Sequence, residues 1–246
     1  YELNNKKAPF DNVNVRKALN LSLDRNVITD KVLGQGQTPT YVFTPTYIEE
    51  GHLIQQPAYS KEPMAQRNEE AIKLLEEAGY SKANPLKFSI LYNTNENHKK
   101  VAIAAASMWK ANTKGLIDVK LENQEWKTYI DSRRAGRYDA ARAGWNADYN
   151  QATTFGNYFL SNSSNNTAKY ANPEYDKAIA ESYVATDAEG RAKAYAKAEE
   201  ILAKDFGIVP IFNYVNPRLV KPYVKGYSGK DPQDHIYLRN LYIIKH

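Results

Sequence analysis

One stretch of the sequence, residues 138–150, combines residue types that could bind a charged ligand. It reads YDAARAGWNADYN, in which a short apolar run ends at Trp145 and a polar turn containing Asp148 follows. In α/β sheets, ligands bind beyond the carboxyl ends of the strands. The order of strand and turn therefore predicts that Arg142, Trp145 and Asp148 lie near the mouth of a ligand site.

Two other segments carry side chains of the same kinds. A polar loop from Asn93 to His98 follows another apolar run, and Trp126, Arg133 and Arg134 supply a ring and two cations. An anion, several cations and exposed rings suit a zwitterion such as a peptide, whose two charged ends need opposite partners. Each charged hydrogen bond of this kind contributes about 1.5–3 kcal/mol net. Taken singly, these residues also fit surface ion pairs or core aromatics, and the sequence leaves that alternative open.

Motifs of the common catalytic classes are missing from the sequence. No two histidines stand at i, i+4 spacing, and no Walker A, G-x-G-x-x-G or G-x-S-x-G pattern occurs. The chain has no cysteine, which excludes disulfides, thiolate metal sites and thiol catalysis. We therefore expect no catalytic residue, no metal and no cofactor. Carboxylates such as Asp139 and Asp148 leave a general acid–base pair open, because the sequence does not set their separation.

Charge and hydropathy argue against two further classes of function. The net charge is +5, from 33 basic and 28 acidic residues that are interspersed. A nucleic-acid-binding protein usually has a basic patch, so we expect no nucleic-acid partner. No apolar stretch approaches the roughly 18 residues that a membrane-spanning helix needs. The sequence starts without Met or a signal peptide, and we interpret it as a fragment or a processed chain.

Alternating strands and helices predict an α/β fold with parallel strand pairs. The segments at 86–93, 117–124 and 138–145 are predicted strands. Amphipathic helices are predicted between them at 98–112 and 125–136. Strands that alternate with helices of this length form a layered sheet in which neighbouring strands run parallel.

Helix-capping residues predict where the flanking helices begin. Residues 10–34 read as two short helices, with Asp11 as the first N-cap. Asn172 followed by Pro starts a later helix, and Thr186 with Glu189 forms a capping box for the next. The remaining predictions are a loop at 35–63, a helix ending at Gly79, a strand at 207–215 and short strands within a looped tail at 216–246.

Seven segments carry a resemblance to a known family. The first, APFDNVNVRKALNLSLDRNVI, resembles a family signature in which Val-x-Val-Arg-x-Ala-Leu precedes Asp-Arg. The chain thereby resembles the extracellular solute-binding proteins of the oligopeptide, dipeptide and nickel importer family, over the C-terminal part of its members. The other segments, which are similar to the oligopeptide branch, are QRNEEAIKLLEEAGY, LYNTNENHKK, NQEWKTYIDSR, YDAARAGWNADYN, LSNSSNNTAKY and VNPRLVKPYVKGYSGKDP.

The resemblance implies one lobe of a two-lobed periplasmic-binding-protein fold of the type II-like, Venus-flytrap kind. A mixed sheet flanked by helices is expected. Residues 1–215 would form the C-terminal ligand-binding lobe, and residues 216–246 would return to pack on the N-terminal lobe. The implied function is capture of oligopeptides in the periplasm, without catalysis, for the membrane permease subunits of an ABC importer. A monomer is expected.

The resemblance also implies roles for individual residues. Asp148 is similar to an aspartate that takes the peptide's α-ammonium group. Arg142 and His98 resemble groups that meet the C-terminal carboxylate, and Arg133 resembles another cation lining the site. The other residues expected in the pocket are Asn93, Trp126, Trp145, Asn146 and Tyr214.

Some positions depart from the family pattern and leave the ligand open. Asn146 and Arg134 differ from it, and no basic residue stands near Leu33 and Gly34. The favoured peptide length therefore stays open. The alternatives are a related binder of murein peptide, dipeptide, haem or nickel, and, from another class of function, a peptidase or glycosidase.

Overall fold

The computed structural model describes residues 1–229, 231 and 233–245. In chain order its elements are β1 (Glu2–Leu3), α1 (Val13–Leu21), β2 (Thr38–Pro39), α2 (Met64–Glu77), β3 (Leu86–Asn93), α3 (Glu96–Asn112), β4 (Ile117–Gln124), α4 (Trp126–Arg134), β5 (Ala140–Ala141), α5 (Thr153–Gly156), α6 (Pro173–Val184), α7 (Ala188–Lys204), β6 (Phe212–Asn213), β7 (Val224–Lys225) and β8 (Tyr242–Ile243). Short 3-10 or π-type turns lie at Val27–Leu33, Ala58–Lys61, Asn157–Phe159 and Leu238–Asn240.

The central sheet is mixed and has the strand order β1-β5-β3-β4. Strand β3 pairs parallel with β4 along its whole length, from Leu86 opposite Ile117 to Asn93 opposite Gln124. It also pairs parallel with β5, whereas β1 runs antiparallel to β5. The predicted fold class, an α/β mixed sheet flanked by helices, is confirmed.

Residues of β3 alternate between the two faces of this sheet, as a strand requires. Phe88 and Ile90 belong to the main apolar core together with residues of α1, α2 and α3. Leu91 instead packs with Tyr129 of α4 on the other side. Trp109 of α3 is fully buried and donates its indole N–H to the carbonyl of Leu19, 2.9 Å away. Helices therefore cover both faces of the sheet, so a ligand site is expected at the ends of the strands.

A second apolar cluster joins α5, α6 and α7. It is rich in aromatic rings, and Phe159, Tyr170 and Tyr175 pack edge to face in series. Buried tyrosines need a partner for the hydroxyl. Tyr175 donates to the carbonyl of Gly156 at 2.7 Å, and Tyr170 donates to Asp205 at 2.7 Å. Both of these hydroxyl groups in the second apolar cluster therefore have hydrogen-bond partners.

Two predicted N-caps were wrong by one residue. Asn12, not Asp11, caps α1, because its side-chain oxygen accepts from the amide of Asn14 at 2.9 Å. Asp187, not Thr186, caps α7 by accepting from the amide of Gly190 at 2.7 Å. In each case the neighbouring polar residue has the backbone position that lets its side chain reach the free amides of the first turn.

Two predicted strands are much shorter than expected. Strand β5 keeps only two of residues 138–145, because the Asp139 carboxylate, not a ladder bond, receives the amide of Ser89 at 3.0 Å. Beyond Arg142, whose amide still donates to Leu91 at 2.8 Å, the backbone leaves β3. The run at 207–215 likewise keeps only β6, which pairs with β2, and an isolated bridge from Ile208 to β1.

The tail after residue 215 buries little of its apolar surface. It contains the hairpin of β7 and β8, in agreement with the predicted short strands, while residues 230, 232 and 246 of the predicted tail lie outside the described residues. Large apolar side chains of the tail are exposed: Leu219, Val220, Ile236, Tyr237, Leu238, Tyr242, Ile243 and Ile244. Within the described part of the chain, none of the helices has the length and apolarity to traverse a membrane.

Candidate ligand site

A cavity of about 730 Å³ lies where the chain leaves β5. Residues 142–147 and 208–216 form one part of its wall, and residues between Val42 and Ile48 form another. The volume falls inside the range of about 300–1,000 Å³ that is usual for small-ligand sites. The cavity lies beyond the carboxyl end of a parallel strand, as the sequence predicts.

Arg142 is the cation that faces this cavity. Its guanidinium donates to the hydroxyl of Tyr214 and lies 5.7 Å from the centre of that ring. Among the residues that the structure describes, no carboxylate is within ion-pair distance of it. Burial lowers the pKa of Arg142 from its usual range, because a charge withdrawn from water is disfavoured. The cavity thus presents a cation that has no carboxylate partner within the described part of the chain.

His98 lies near Arg142 and also lines the cavity. It stands in the first turn of α3, where Asn95 caps the helix and accepts from the amide of His98 at 3.1 Å. Burial, and then the positive charge of Arg142, lower the pKa of His98 to about 4, although the backbone of Asn93 opposes this. The imidazole is therefore neutral at pH 7, so Arg142 supplies the positive charge there.

An aromatic wall, made of Phe43, Trp145, Phe155, Tyr158 and Phe159, closes another part of the cavity. Ring centroids lie 5.0 Å apart for Trp145 and Tyr158, and 4.8 Å apart for Phe43 and Phe159. Most of these pairs are edge to face, the geometry that ring quadrupoles favour. This aromatic wall gives the cavity an apolar surface.

The backbone itself forms part of the cavity wall. The amides of residues 143–146 have no hydrogen-bond partner within the described ranges of the chain. Gly144 brings this stretch close to Tyr214, because a Cβ atom there would lie 2.9 Å from carbon atoms of the Tyr214 ring. Free main-chain groups of this kind can pair with an extended ligand, as in the addition of a strand to a sheet edge.

Asp148 stands beside the cavity lining and is exposed to solvent. Its neighbours Ala147 and Asn150 line the cavity, while Asp148 does not. Its amide donates to the hydroxyl oxygen of Thr154 at 3.1 Å, and that hydroxyl donates back to the carboxylate at 3.1 Å. No Lys or Arg of the described residues pairs with this carboxylate. Within the described chain, the Asp148 carboxylate thus has a hydroxyl donor but no cation beside it.

The structure brings together five of the nine predicted site residues around the cavity: His98, Arg142, Trp145, Asn146 and Tyr214. Asp148 and three others do not line it. Arg133 pairs with Glu2 at 3.0 Å and donates to Tyr158 and Thr167. Asn93 is buried at the end of β3.

Trp126 lies at the start of α4, immediately after the carboxyl end of β4. Its side chain is 54% exposed, and its ring stacks on Tyr129 with centroids 5.8 Å apart. Trp126 therefore stacks on Tyr129 and does not line the cavity.

The cavity is also lined by residues that the sequence did not reveal, and these include Glu2, Phe43, Tyr47 and Tyr158. Glu2 carries no local signal, since it is a lone carboxylate before a two-residue strand. Phe43 and Tyr47 belong to the run YVFTPTY, which was assigned only to a loop. Its density of rings beside Pro and Thr was the available signal, because exposed loops seldom concentrate aromatic residues without a contact.

Comparisons with known proteins point to one family. The family model described as bacterial extracellular solute-binding proteins, family 5 Middle, matches residues 1–167. The chain is 98% identical to the periplasmic oligopeptide-binding protein OppA of Haemophilus influenzae, across 100% of this chain and 46% of that protein. It is 44% identical to the periplasmic murein peptide-binding protein MppA of Escherichia coli, across 100% of this chain and 45% of that protein.

A solved structure gives the same result for the fold. The crystal structure of Haemophilus influenzae OppA in complex with RPPGFSPFR superposes with a TM-score of 0.93 and 97% sequence identity. The match covers 99% of this chain and 48% of that one. The chain therefore spans about half the length of the relatives that it matches.

Proposed function

The chain belongs to the bacterial extracellular solute-binding proteins of family 5, and we propose that it is one lobe of a protein that captures short oligopeptides. The proposed whole protein works in the periplasm, as a monomer, and delivers its ligand to the permease subunits of an ABC importer. It does no chemistry on the ligand. The names of the relatives above support this proposal.

One observation carries the proposal: Arg142 faces the cavity without a carboxylate partner among the described residues. A half-buried cation without an anion is costly, and a ligand carboxylate would remove that cost. The C-terminus of a peptide is such a carboxylate. His98, next to Arg142, would add a hydrogen bond, and would gain a proton if the ligand's negative charge raised its pKa.

The rest of a peptide would be held along its backbone and at its amino end. The free amides of residues 143–146 are suited to main-chain carbonyl groups of the ligand. We assign the α-ammonium group to Asp148, whose carboxylate stands next to the lining residues Asn146 and Ala147. Opposite charges at the two ends then set the direction in which the peptide binds.

The tail supports a second lobe in the whole protein. Residues 1–215 carry the buried clusters, whereas the tail from residue 216 leaves eight large apolar side chains exposed. Exposed apolar surface of this extent usually belongs to an interface. We propose that the tail packs on the other lobe and that the lobes close over the ligand. Closure would also bring ligand groups toward Trp126 and Asn93 at the sheet edge.

Arg133 has a different assignment within this proposal. Its guanidinium is 3.0 Å from Glu2, a residue that lines the cavity. A cation that is already paired attracts a ligand carboxylate less than a free one. We therefore propose that Arg133 acts from behind the wall, by holding Glu2, Tyr158 and Thr167 in place.

A murein-peptide carrier is the second candidate, and it rests on the 44% identical relative from Escherichia coli. Mass spectrometry of ligands that co-purify with the full-length protein separates the two. A mixture of ordinary peptides supports our proposal, and muropeptides support the alternative. Sustained turnover of peptide or glycan substrates would instead indicate a hydrolase.

Calorimetry with capped peptides tests the assignment of the two ends. Full-length protein freed of ligand should bind an uncapped tetrapeptide more tightly than its N-acetylated or C-amidated forms. Asp148→Ala should weaken binding of the uncapped peptide by about 2–5 kcal/mol, because the ammonium group, which the proposed closure of the lobes would bury, loses its charged partner. The N-acetylated peptide should bind the variant and the wild type alike.

The neighbouring residue Asn150→Ala is the matched control, because it also lines the cavity but carries no charge. It should leave the preference for a free amino end unchanged. Unaltered affinity of Asp148→Ala for the uncapped peptide would contradict the assignment of Asp148 to the α-ammonium group. Equal binding of all three peptide forms by the wild type would sink the proposal as a whole.

A further inference from the structure

Glu199 of α7 is a buried carboxylate that the proposed site does not use directly. It is 5% exposed and accepts hydrogen bonds from the amides of Phe43 and Thr44, at 3.1 and 2.8 Å, and from the Thr44 hydroxyl. No Lys or Arg of the described residues forms an ion pair with it. A buried anion without a cation is costly, and these three donors are what offset the cost.

The segment that Glu199 holds is a wall of the cavity. Phe43 lines the cavity, as do Pro45, Tyr47 and Ile48 farther along the same loop. The ring of Phe43 packs on Phe155, Tyr158 and Phe159 with centroids 4.8–5.5 Å apart. Tyr158 in turn packs on Trp145. A shift of the Phe43 backbone therefore reaches the aromatic wall through direct ring contacts.

The same helix holds the far end of this loop. Arg191 donates from Nε to the Glu50 carboxylate at 2.7 Å, and the Glu50 side chain is only 9% exposed. Glu50 has a φ of 63°, a left-handed conformation that a residue with a side chain seldom adopts. Arg191 and Glu199 are eight residues apart, about two helical turns, and so share one face of α7. Helix α7 thus fixes the loop at both ends.

We propose that α7 positions the aromatic wall and that Glu199 is the positioning residue. By holding the backbone of Phe43, Glu199 sets how large ligand side chains fit against Phe43, Trp145 and Tyr158. The inference rests on the proposed peptide-binding function. Arg191 has a secondary role in positioning the loop, because its partner Glu50 does not line the cavity. No contact between Glu199 and the ligand is required.

The test uses full-length protein and two tripeptides that differ only in a Phe or a Gly side chain at one position. In Glu199→Gln, the retained oxygen can still accept from Thr44, but the new NH₂ group meets the Phe43 amide. We expect the Phe-over-Gly preference at the position facing the wall to fall about tenfold, the equivalent of one charged hydrogen bond. Thr44→Val, which removes only the hydroxyl donor, should give a smaller change in the same direction.

Glu200→Gln is the matched control, because Glu200 is the adjacent residue, is exposed and pairs with Lys204 at 2.6 Å. It should leave the Phe-over-Gly ratio at the wild-type value. Trp145 fluorescence supplies a second measurement, since a shift of the wall changes the surroundings of this indole. If Glu199→Gln does not fold, Thr44→Val and the control carry the test.

The outcomes separate this inference from the proposed function. A wild-type protein that binds neither tripeptide contradicts both. Binding by the wild type with the same Phe-over-Gly ratio in Glu199→Gln and Thr44→Val overturns the positioning role alone. A uniform loss of affinity for both tripeptides also overturns it, because a general loss of stability would have that effect.

Discussion

Two arginines on either side of β5 lie in opposite electrostatic surroundings. Arg133, on α4 before the strand, is bound by Glu2, Tyr158 and Thr167. Arg142, just after the strand, has a tyrosine hydroxyl and no carboxylate of the described residues. Burial alone would lower the pKa of both, but the Glu2 carboxylate raises that of Arg133. One arginine thus joins parts of the fold, and the other, which lines the cavity, is the one that we propose binds the ligand.

This contrast explains why a polar cluster on the sequence does not define a site. In the sequence, each arginine lies within a few residues of a tryptophan, Trp126 for Arg133 and Trp145 for Arg142. Only the partner differs, and Glu2 lies more than a hundred residues away along the chain. Variants of the two arginines should therefore affect different measurements, one stability and the other binding.

The largest effect is expected at the paired arginine. Arg133→Met should lower the free energy of unfolding of the full-length protein by about 3–5 kcal/mol, because Glu2 stays buried without a cation. Urea denaturation measures the loss. Adding Glu2→Gln should recover part of it, since the unpaired charge is removed. A loss below about 1 kcal/mol, within the range of exposed pairs, would mean that the Arg133 network is not structural.

A smaller effect, on binding and not on folding, is expected at the free arginine. Arg142→Met should weaken a peptide with a free C-terminus by about 1.5–3 kcal/mol, the value of a charged hydrogen bond. Calorimetry should find little change for the C-amidated peptide, and the urea midpoint should stay the same or rise. Should the amidated peptide lose as much affinity as the free one, Arg142 does not bind the carboxylate.

The smallest effect concerns pH and sharpens the division of labour between Arg142 and His98. The pKa of His98 is lowered to about 4 by burial and by Arg142, so the free protein holds a neutral imidazole at pH 7. A ligand carboxylate would raise that pKa, and binding would take up a proton. Affinity for a free-carboxylate peptide should therefore increase, by about threefold, as the pH falls from 7 to 5.

Calorimetry in two buffers of different ionisation enthalpy measures the proton uptake directly. His98→Gln should abolish both the uptake and the pH dependence, while it leaves the effect of Arg142→Met in place. A wild-type affinity that falls over this pH range would contradict the assignment, because it would mean that protonation of the site opposes binding.

Much of the fold follows from local patterns in the sequence. Strands β3 and β4 were predicted with their observed bounds, since apolar and polar residues alternate along much of each segment. Strand β5 was predicted too long, because its length depends on how far β1 and β3 accompany it. That is a property of the sheet and not of residues 138–145.

The site was predictable only in part, because local patterns identify residues that are close together along the chain. The predicted site residues Arg142, Trp145 and Asn146 line the cavity together, because one continuous stretch carries them past the end of a strand. Phe43 was missed because it reaches the cavity from a loop about a hundred residues away, through Glu199 on a third element. Arg133 was expected in the lining, but no pattern near it in the sequence reveals its distant partner Glu2.

The stretch after β5 leaves the amides of residues 143–146 without partners in the described chain. Every peptide repeats the same carbonyl group at each residue, whatever its side chains. A wall of this kind would distinguish peptides from other solutes but not one peptide sequence from another. Under the proposed function, these amides would add affinity for any peptide, and a preference for particular side chains would come from the aromatic wall instead.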